Sequence, residues 1–501
     1  MTTPLLDSFA LDALGAALAR YTVDDVHALL GLVGRAAHER GDLAGVARLL
    51  PRGDRLADLV RLFLLGDEID ERAARAALHP LALEAATPLL ERSAGAVRAR
   101  LEIRPYADAD RTDPWWVVSD FGSDVRPGPL ADDHVLGIGA ASLTLAQAVA
   151  RRPARRALDI GTGCGVQALH LAAHAASVVA TDISTRALRM AATTAALSGQ
   201  QWDLRAGSLL DPVRGDQFDL VVANPPFVVS PGLRAGSGGY DYRDSGLAGD
   251  AVCAALLQGV GSVLAPGGTA SLLANWIIPA DGDWAGRVGR WVAGTGCDAW
   301  IWQREVVDPG AYVTLWLRDA GELPGSARWV QRYTAWLDWF EASGIVAVGM
   351  GLATLHRTDR NDPRIVCEDV PQAVTAPAGT HIGGWFARQD WLARHDDPAL
   401  LTSRLRVAEG VLRTRHDLPS SAGWRTELEQ LRQSGGMRWE LEVDEPVAGL
   451  VAACRGAVPL AVTFAVMASA FDVPTDQLAA SLLPVVRDLI ARGFLEPEAA
   501  P

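Results

Sequence analysis

The sequence predicts an α/β protein whose central sheet is built from repeated βαβ units, with a helical domain before it and an α+β extension after it. Two observations carry that expectation. Between residues 131 and 318, short apolar strand-like runs alternate with helix-like segments, the pattern of a βαβ sheet. On either side the period changes. Residues 1–100 hold Ala, Leu and Arg at helical spacing, and residues 319–501 open on an amphipathic aromatic helix and close on short helices and an apolar strand.

In chain order, residues 1–100 read as a small helical bundle. Val23, Val26, Leu29, Leu30 and Val33 recur at helical intervals, after a Thr22-Val-Asp-Asp start that puts acid in the first turn. This domain is either a substrate-positioning unit or a scaffold. It carries 12 basic and 14 acidic residues, so it supplies no basic arm. Residues 101–130 switch to short strands, LEIRPYA and WWVVSDFG, followed by a Pro/Gly/Asp-rich linker. The block 131–318 is expected to hold seven strands: Arg156–Ile160, Val178–Asp182, Asp203–Ala206, Phe218–Ala223, Thr269–Trp276, Asp298–Gln303 and Tyr312–Leu317. Helices fit at Val166–Ala175, Thr185–Leu197, Leu247–Leu264 and Trp284–Ala293. Residues 319–440 form an α+β extension in which Trp329, Tyr333, Trp336 and Phe340 make a helical stripe, read as core. Residues 441–501 read as three short helices and a closing strand, a winged-helix-like module. Its presumptive recognition segment, Thr475–Arg492, lacks an Arg cluster, which favours a structural or protein-contact role over DNA binding.

Composition narrows the function classes. A chain of 501 residues has room for two to four domains. Apolar content of 49% and charged content of 21% are ordinary for a globular protein, and no apolar run reaches membrane-spanning length. The acidic start MTTPLLDSFALD does not read as a secretory signal. Five scattered cysteines without a C-x-x-C pair argue against a disulfide framework and a zinc site, so a reducing, cytoplasmic setting without a bound metal or a membrane partner is expected. All 46 basic residues are Arg, a usage that reads as coding bias and devalues Arg as a functional marker. The net charge of −14 disfavours non-specific nucleic-acid binding while leaving room for a local basic face. Oligomeric state is not readable.

Four strand ends carry the chemistry. RALDIGTGCGVQALHLAAH places Asp159 at the tip of the first strand, then Gly161, Thr162, Gly163, Cys164 and Gly165 before a helix. Such a turn lets a ligand approach the backbone at a helix N-terminus. The spacing is G-x-G-x-G, neither the dinucleotide fingerprint nor a P-loop, and a carboxylate there suits a cationic ligand end rather than a pyrophosphate. Asp182, at the tip of the second strand in VVATDIS, can bind both hydroxyls of a ribose or cap the next helix. RAGSLLDP follows the third strand. Asn224, Pro225, Pro226 and Phe227 follow the fourth. All four ends fall on the rim where open α/β sheets bind ligands.

Together these motifs resemble the class I S-adenosylmethionine (SAM)-dependent methyltransferases, over about residues 131–318, with a Rossmann-like seven-stranded core. More narrowly they are similar to the group with an N-P-P-Y/F motif: HemK-like protein-glutamine methyltransferases and bacterial small-domain rRNA and tRNA methyltransferases acting on exocyclic amines. The resemblance implies SAM as cofactor and S-adenosylhomocysteine as product. It places Asp159, Gly161, Thr162, Gly163 and Gly165 along the methionine part of SAM, Asp182 on the ribose hydroxyls, Ile183 on the adenine, and Ser208 and Leu209 beside the adenine edge, with Asn224 at the reacting end. Many relatives carry Asp where Ser208 stands. His134–Ala146 occupies the place where relatives close over the cofactor. YDYRDSGLAGDAV resembles a HemK-like segment, and makes Tyr240, Tyr242, Arg243 and Asp244 candidate substrate contacts; a plain solvent loop is the alternative.

The N-P-P-F corner fits transfer to a planar nitrogen whose lone pair is delocalised. Asn224 offers a side-chain carbonyl, the prolines have no N–H and a fixed φ, and Phe227 offers a flat face for stacking. The acceptor is expected to be macromolecular. Net acidity and the loop resemblance favour a protein glutamine side chain; the alternative is an exocyclic amine of adenine or guanine in RNA or DNA, and a non-catalytic SAM-binding regulator is a third reading. The 319–501 extension is outside the HemK-like plan, so no substrate is inherited from that group.

Overall fold

The computed structural model describes residues 2–108, 114–232, 246–421 and 423–498. They fall into two compact units, one of residues 1–146 and 152–370, the other of 147–151 and 371–501. The first unit holds an eight-stranded sheet. Its strands in chain order are β1 (Ala154–Ile160), β2 (Ala175–Asp182), β3 (Asp203–Ala206), β4 (Phe218–Ala223), β5 (Leu264–Pro279), β6 (Cys297–Val307), β7 (Ile345–Arg357) and β8 (Ile365–Asp369). Their spatial order is β8-β6-β7-β5-β4-β1-β2-β3. Every ladder is parallel except those of β7, which runs antiparallel to both β5 and β6.

Helices α1 (Val166–Ala172), α2 (Thr185–Leu197), α3 (Ala251–Gly259) and α4 (Trp284–Val292) connect the strands, close to their expected positions. The central strands are apolar on both faces, as a covered parallel sheet requires; Leu220, Val221, Val222 and Ala223 of β4 are all buried. One face packs on α3 and α4 through Leu256, Leu257, Val288 and Val292. The other packs through Val166, Leu169, Ala187, Met190 and Leu197 into a core shared with the N-terminal residues, including Leu14, Leu18, Trp115 and Val117.

The expected strand Tyr312–Leu317 is a helix, α5 (Pro309–Asp319). Asp308 caps it, its Oδ1 accepting the Ala311 N–H at 2.9 Å, and Pro309 sits at its first turn. Its β-prone residues are spaced for a helix: Tyr312, Val313 and Leu317 are buried together. The seventh strand is β7, which with β8 lies beyond the expected boundary at 318. Gly349 and Gly351 let it enter beside large rings. A Cβ on Gly349 would stand 2.1 Å from Trp276 Nε1, and one on Gly351 would stand 2.0 Å from the Trp302 carbonyl oxygen. Helix α6 (Ala327–Ala342) carries the aromatic stripe, with Trp329, Trp336 and Phe340 buried and Tyr333 half-buried, as expected.

Residues 1–100 are not purely helical. Five helices are joined by a three-stranded sheet of 68–70, 90–93 and 96–99. The short strands expected in 101–130 are 102–106 and 115–119, and they pair antiparallel. In the second unit, three helices (Glu445–Ala453, Leu460–Phe471 and Thr475–Arg492) enclose a core around Leu450, Phe464 and Val486. Beside them lies a three-stranded sheet of 404–407, 455–459 and 495–497.

Candidate active site

Register, not proximity in sequence, assembles the site. Ile160 pairs with Thr181 on one side and Ala223 on the other, and Asp182 pairs with Ala206. The residues that follow these strands therefore line up along one rim: Gly161, Asp182–Ile183, Gly207–Ser208 and Asn224. The Asn224 backbone oxygen lies 3.9 Å from where a Cβ on Gly161 would stand.

Asp159 is 1% exposed. Its Oδ2 accepts the Thr162 hydroxyl at 2.6 Å and the Ala168 N–H at 3.1 Å, while its Oδ1 is buried with no hydrogen-bond partner among the described residues. Burial pushes this carboxyl up to about 7, against the pull of those two donors, with the Asp182 charge adding a smaller upward push. A buried, unpaired acceptor next to a glycine turn is a place for a cationic or hydrogen-bond-donating ligand group. Gly161 and Gly163 both adopt positive φ, and a Cβ on Gly163 would meet nothing within 4 Å, so the turn borders open space.

Asp182 accepts two backbone N–H groups, one of them at the start of the next helix as its expected capping role requires. Its Oδ2 accepts the Gly163 N–H at 2.9 Å, tying β2 to the glycine turn, and its Oδ1 accepts the Ser184 N–H at 2.8 Å at the start of α2. Ile183 is 67% exposed, an apolar side chain left uncovered on the rim. Ser208 is exposed, whereas Leu209, at φ +49°, packs partly into the apolar cluster of β4 and α3.

Two of the predicted cofactor residues have partners within the fold. Thr162 is buried and spends its hydroxyl on Asp159. Gly165, at φ +90°, is the residue preceding α1, and a Cβ there would stand 2.6 Å from the Trp202 ring. It is required by the packing of α1 against Trp202. The sequence pattern G-x-G-x-G does not distinguish the two uses of glycine.

At the end of β4, Pro225 is buried and Asn224, Pro226 and Phe227 are half-exposed. Phe227 meets Trp316 of α5 edge-on, with ring centroids 5.9 Å apart. Beyond the corner, the Val229 N–H donates to the Tyr312 hydroxyl at 2.9 Å and Trp336 Nε1 donates to the Val229 carbonyl at 3.1 Å. Asn275 of β5 donates to the same Tyr312 oxygen at 2.9 Å. The sequence missed these groups; Trp336 was visible only as core and Tyr312 only as a strand residue. Ser230 and Gly249 then form an isolated bridge, and the buried Asp250 carboxylate accepts Arg287 and the Ile277 N–H. Tyr240, Tyr242, Arg243 and Asp244 lie outside the described residues. Upstream, Gln167 of α1 donates to the Ser142 carbonyl at 2.7 Å, fastening the His134–Ala146 segment beside the glycine turn.

Residues 136–235 match the family model of the methyltransferase small domain. That match takes in β1–β4, and in the rest of the sheet a single antiparallel strand, β7, lies between β5 and β6. The fold is that of a class I methyltransferase. Residues 18–100 and 383–497 match two families described only as domains of unknown function. Among curated proteins, the chain is similar to the ribosomal RNA small subunit methyltransferase C of Citrobacter koseri, 28% identical over 37% of this chain and 52% of that protein. It is also similar to that of Cronobacter sakazakii, 32% identical over 29% of this chain and 43% of that protein. The chain spans about half the length of the curated relatives it matches. A solved Thermus thermophilus 16S rRNA N2 methyltransferase, in complex with AdoMet and guanosine, aligns at 18% identity over 52% of this chain and 66% of that one. The TM-score of that alignment is 0.27.

Proposed function

We propose that the chain is a SAM-dependent N-methyltransferase acting on an exocyclic amino group of a purine in RNA. The observation that carries the methyltransferase reading is the register that sets the Asp159 carboxylate with its one unpartnered oxygen, the Asp182 carboxylate and the Asn224 corner on one rim. The RNA assignment is supported by the small-domain match and the rRNA methyltransferase relatives. Those names support RNA over the protein glutamine side chain that net acidity and the loop resemblance favoured.

The residues present fit SAM. Asp159 would take its cationic amino-acid end, the open turn at Gly161 and Gly163 would admit its backbone-hugging portion, Asp182 would accept the ribose hydroxyls, and Ile183 and Ser208 would border the adenine. SAM, when bound, supplies a methyl group on a positively charged sulfur. The chain's own contribution is to aim the acceptor. The Asn224 side-chain carbonyl accepts a hydrogen bond from the target NH2, which turns the nitrogen lone pair toward the methyl and holds it at attacking distance. Phe227 presents a ring face to a planar base, and the two prolines keep N–H donors out of the corner.

The test is methyl transfer from labelled SAM into an extract of a strain lacking this chain, followed by nuclease or protease. The expected label is removed by ribonuclease and survives protease. Label that survives ribonuclease and is lost to protease would overturn the RNA assignment in favour of a protein amide.

A further inference from the structure

We infer that Tyr312 is a positioning residue for the Asn224–Phe227 corner, acting through Val229 with Trp336 as its counterpart. The inference rests on the methyltransferase reading above and adds to it the part of the chain that holds the acceptor corner in shape.

The corner leaves β4 at Ala223 and enters no strand until the isolated bridge at Ser230. A segment of that kind has buried peptide groups without a ladder to satisfy them, and each needs another partner. Val229 is fully buried, and side chains serve both of its polar groups. The N–H goes to the Tyr312 hydroxyl of α5, and the C=O receives Trp336 Nε1 of α6. Tyr312 is itself fixed by Asn275 on β5, so three elements distant in sequence converge on one peptide two residues past Phe227. The same helix face carries Trp316, whose ring stands 6.1 Å from Tyr312 and 5.9 Å from Phe227, each edge-on. The ring that would stack on the acceptor is thus held through Trp316, and the peptide that follows it through Tyr312. Burial drives the Tyr312 phenol upward in pKa, so it stays a neutral hydroxyl across the working pH range.

A tyrosine that merely filled the core would be replaceable by phenylalanine. Here the hydroxyl oxygen accepts two buried N–H groups. Removing it frees the Val229 peptide and lets the corner shift, and a displacement on the order of 1 Å at a reacting centre lowers rates by on the order of a hundredfold.

The experiment compares the wild type with Tyr312→Phe and Trp336→Phe. It measures thermal melting, SAM affinity by calorimetry, and kcat and KM for methyl transfer. The acceptor is the macromolecule labelled by the wild type in the extract assay, whether RNA or protein. Both variants are expected to melt cooperatively and to bind SAM within about twofold of wild type. Tyr312→Phe should lose about tenfold to a hundredfold in kcat with KM for the acceptor little changed, and Trp336→Phe should lose less in the same direction. Wild-type kcat in both folded variants overturns the inference; should Tyr312→Phe fail to fold, Trp336→Phe decides. A wild-type chain that labels protein rather than RNA overturns the RNA assignment and leaves the Tyr312 comparison to be made on that protein. A wild type that labels neither overturns both.

Discussion

Asp159 has one carboxylate oxygen with two donors and one buried with none, and its pKa sits near 7 because burial outweighs those donors. In the ligand-free protein this acid keeps a proton that the unfolded chain releases near 3.8. Stability therefore falls as pH rises from about 4 to 7 and levels off above. A cationic ligand reverses the preference, because the ionised form is the better partner. SAM affinity is expected to rise between about pH 6 and 8, with proton release near pH 7 seen by calorimetry in buffers of different ionisation enthalpy. Asp159→Asn should flatten that profile, weaken SAM binding and raise the melting temperature at pH 8. An unchanged pH profile would remove Asp159 from the cofactor site. Asp182 and Asn224 separate along the same axis. Asp182→Ala deletes acceptors for Gly163 and Ser184 as well as the expected ribose contact, so it should cut SAM affinity and destabilise by about 1 kcal/mol. Asn224→Ala should leave SAM affinity intact and abolish transfer, read by calorimetry beside the label assay.

The elements show where local sequence is a weak guide. Segment 312–317 reads as a strand because Tyr, Val, Thr and Trp are β-prone, yet the Asp308–Pro309 start and the burial of Tyr312, Val313 and Leu317 on one side make it a helix. Strand β7 carries two glycines where β propensity is poor, and they are there because the Trp276 ring and the Trp302 backbone carbonyl of its neighbours need the space. The glycine turn itself divides by role: Gly161 and Gly163 border open space, while Gly165 is pressed against Trp202. Gly165→Ala combines positive φ with a 2.6 Å clash, so it should cost about 2–3 kcal/mol in thermal or denaturant unfolding. A melt unchanged from wild type would mean that Trp202 yields freely. The loss should appear without SAM present, which distinguishes packing from ligand contact.

Across the molecule, the N-terminal residues and the sheet share one core. Leu14, Leu18 and Trp115 belong to the same buried cluster as Leu169, Met190 and Leu197. Polar ties follow the same line: the Leu5 and Val118 N–H groups donate to Thr193 and Thr194 of α2. A fragment of residues 131–370 would expose that apolar face, and it is expected to aggregate or unfold. A fragment of residues 1–370 keeps the shared core and should melt cooperatively and bind SAM, as checked by calorimetry. Stable, SAM-binding 131–370 would show the N-terminal domain to be dispensable for the fold. Among the described residues no helix is long and apolar enough to cross a membrane.

Legible from the residues alone were the first six strands, the glycine turn, the two rim carboxylates and the N-P-P-F corner. These are consecutive βα units, in which hydrophobic period and turn chemistry are local properties. The sequence could not determine which strand completes the sheet, which glycine serves packing, or what holds the corner. The seventh strand comes from β7, 122 residues past the corner if counted from Ala223 to Ile345, and it is admitted by glycines that only its neighbours explain. The corner is held by Tyr312, Asn275 and Trp336, whose polar atoms meet at Val229 only after three separate elements have packed. Such contacts depend on long-range register and burial, which no local pattern encodes.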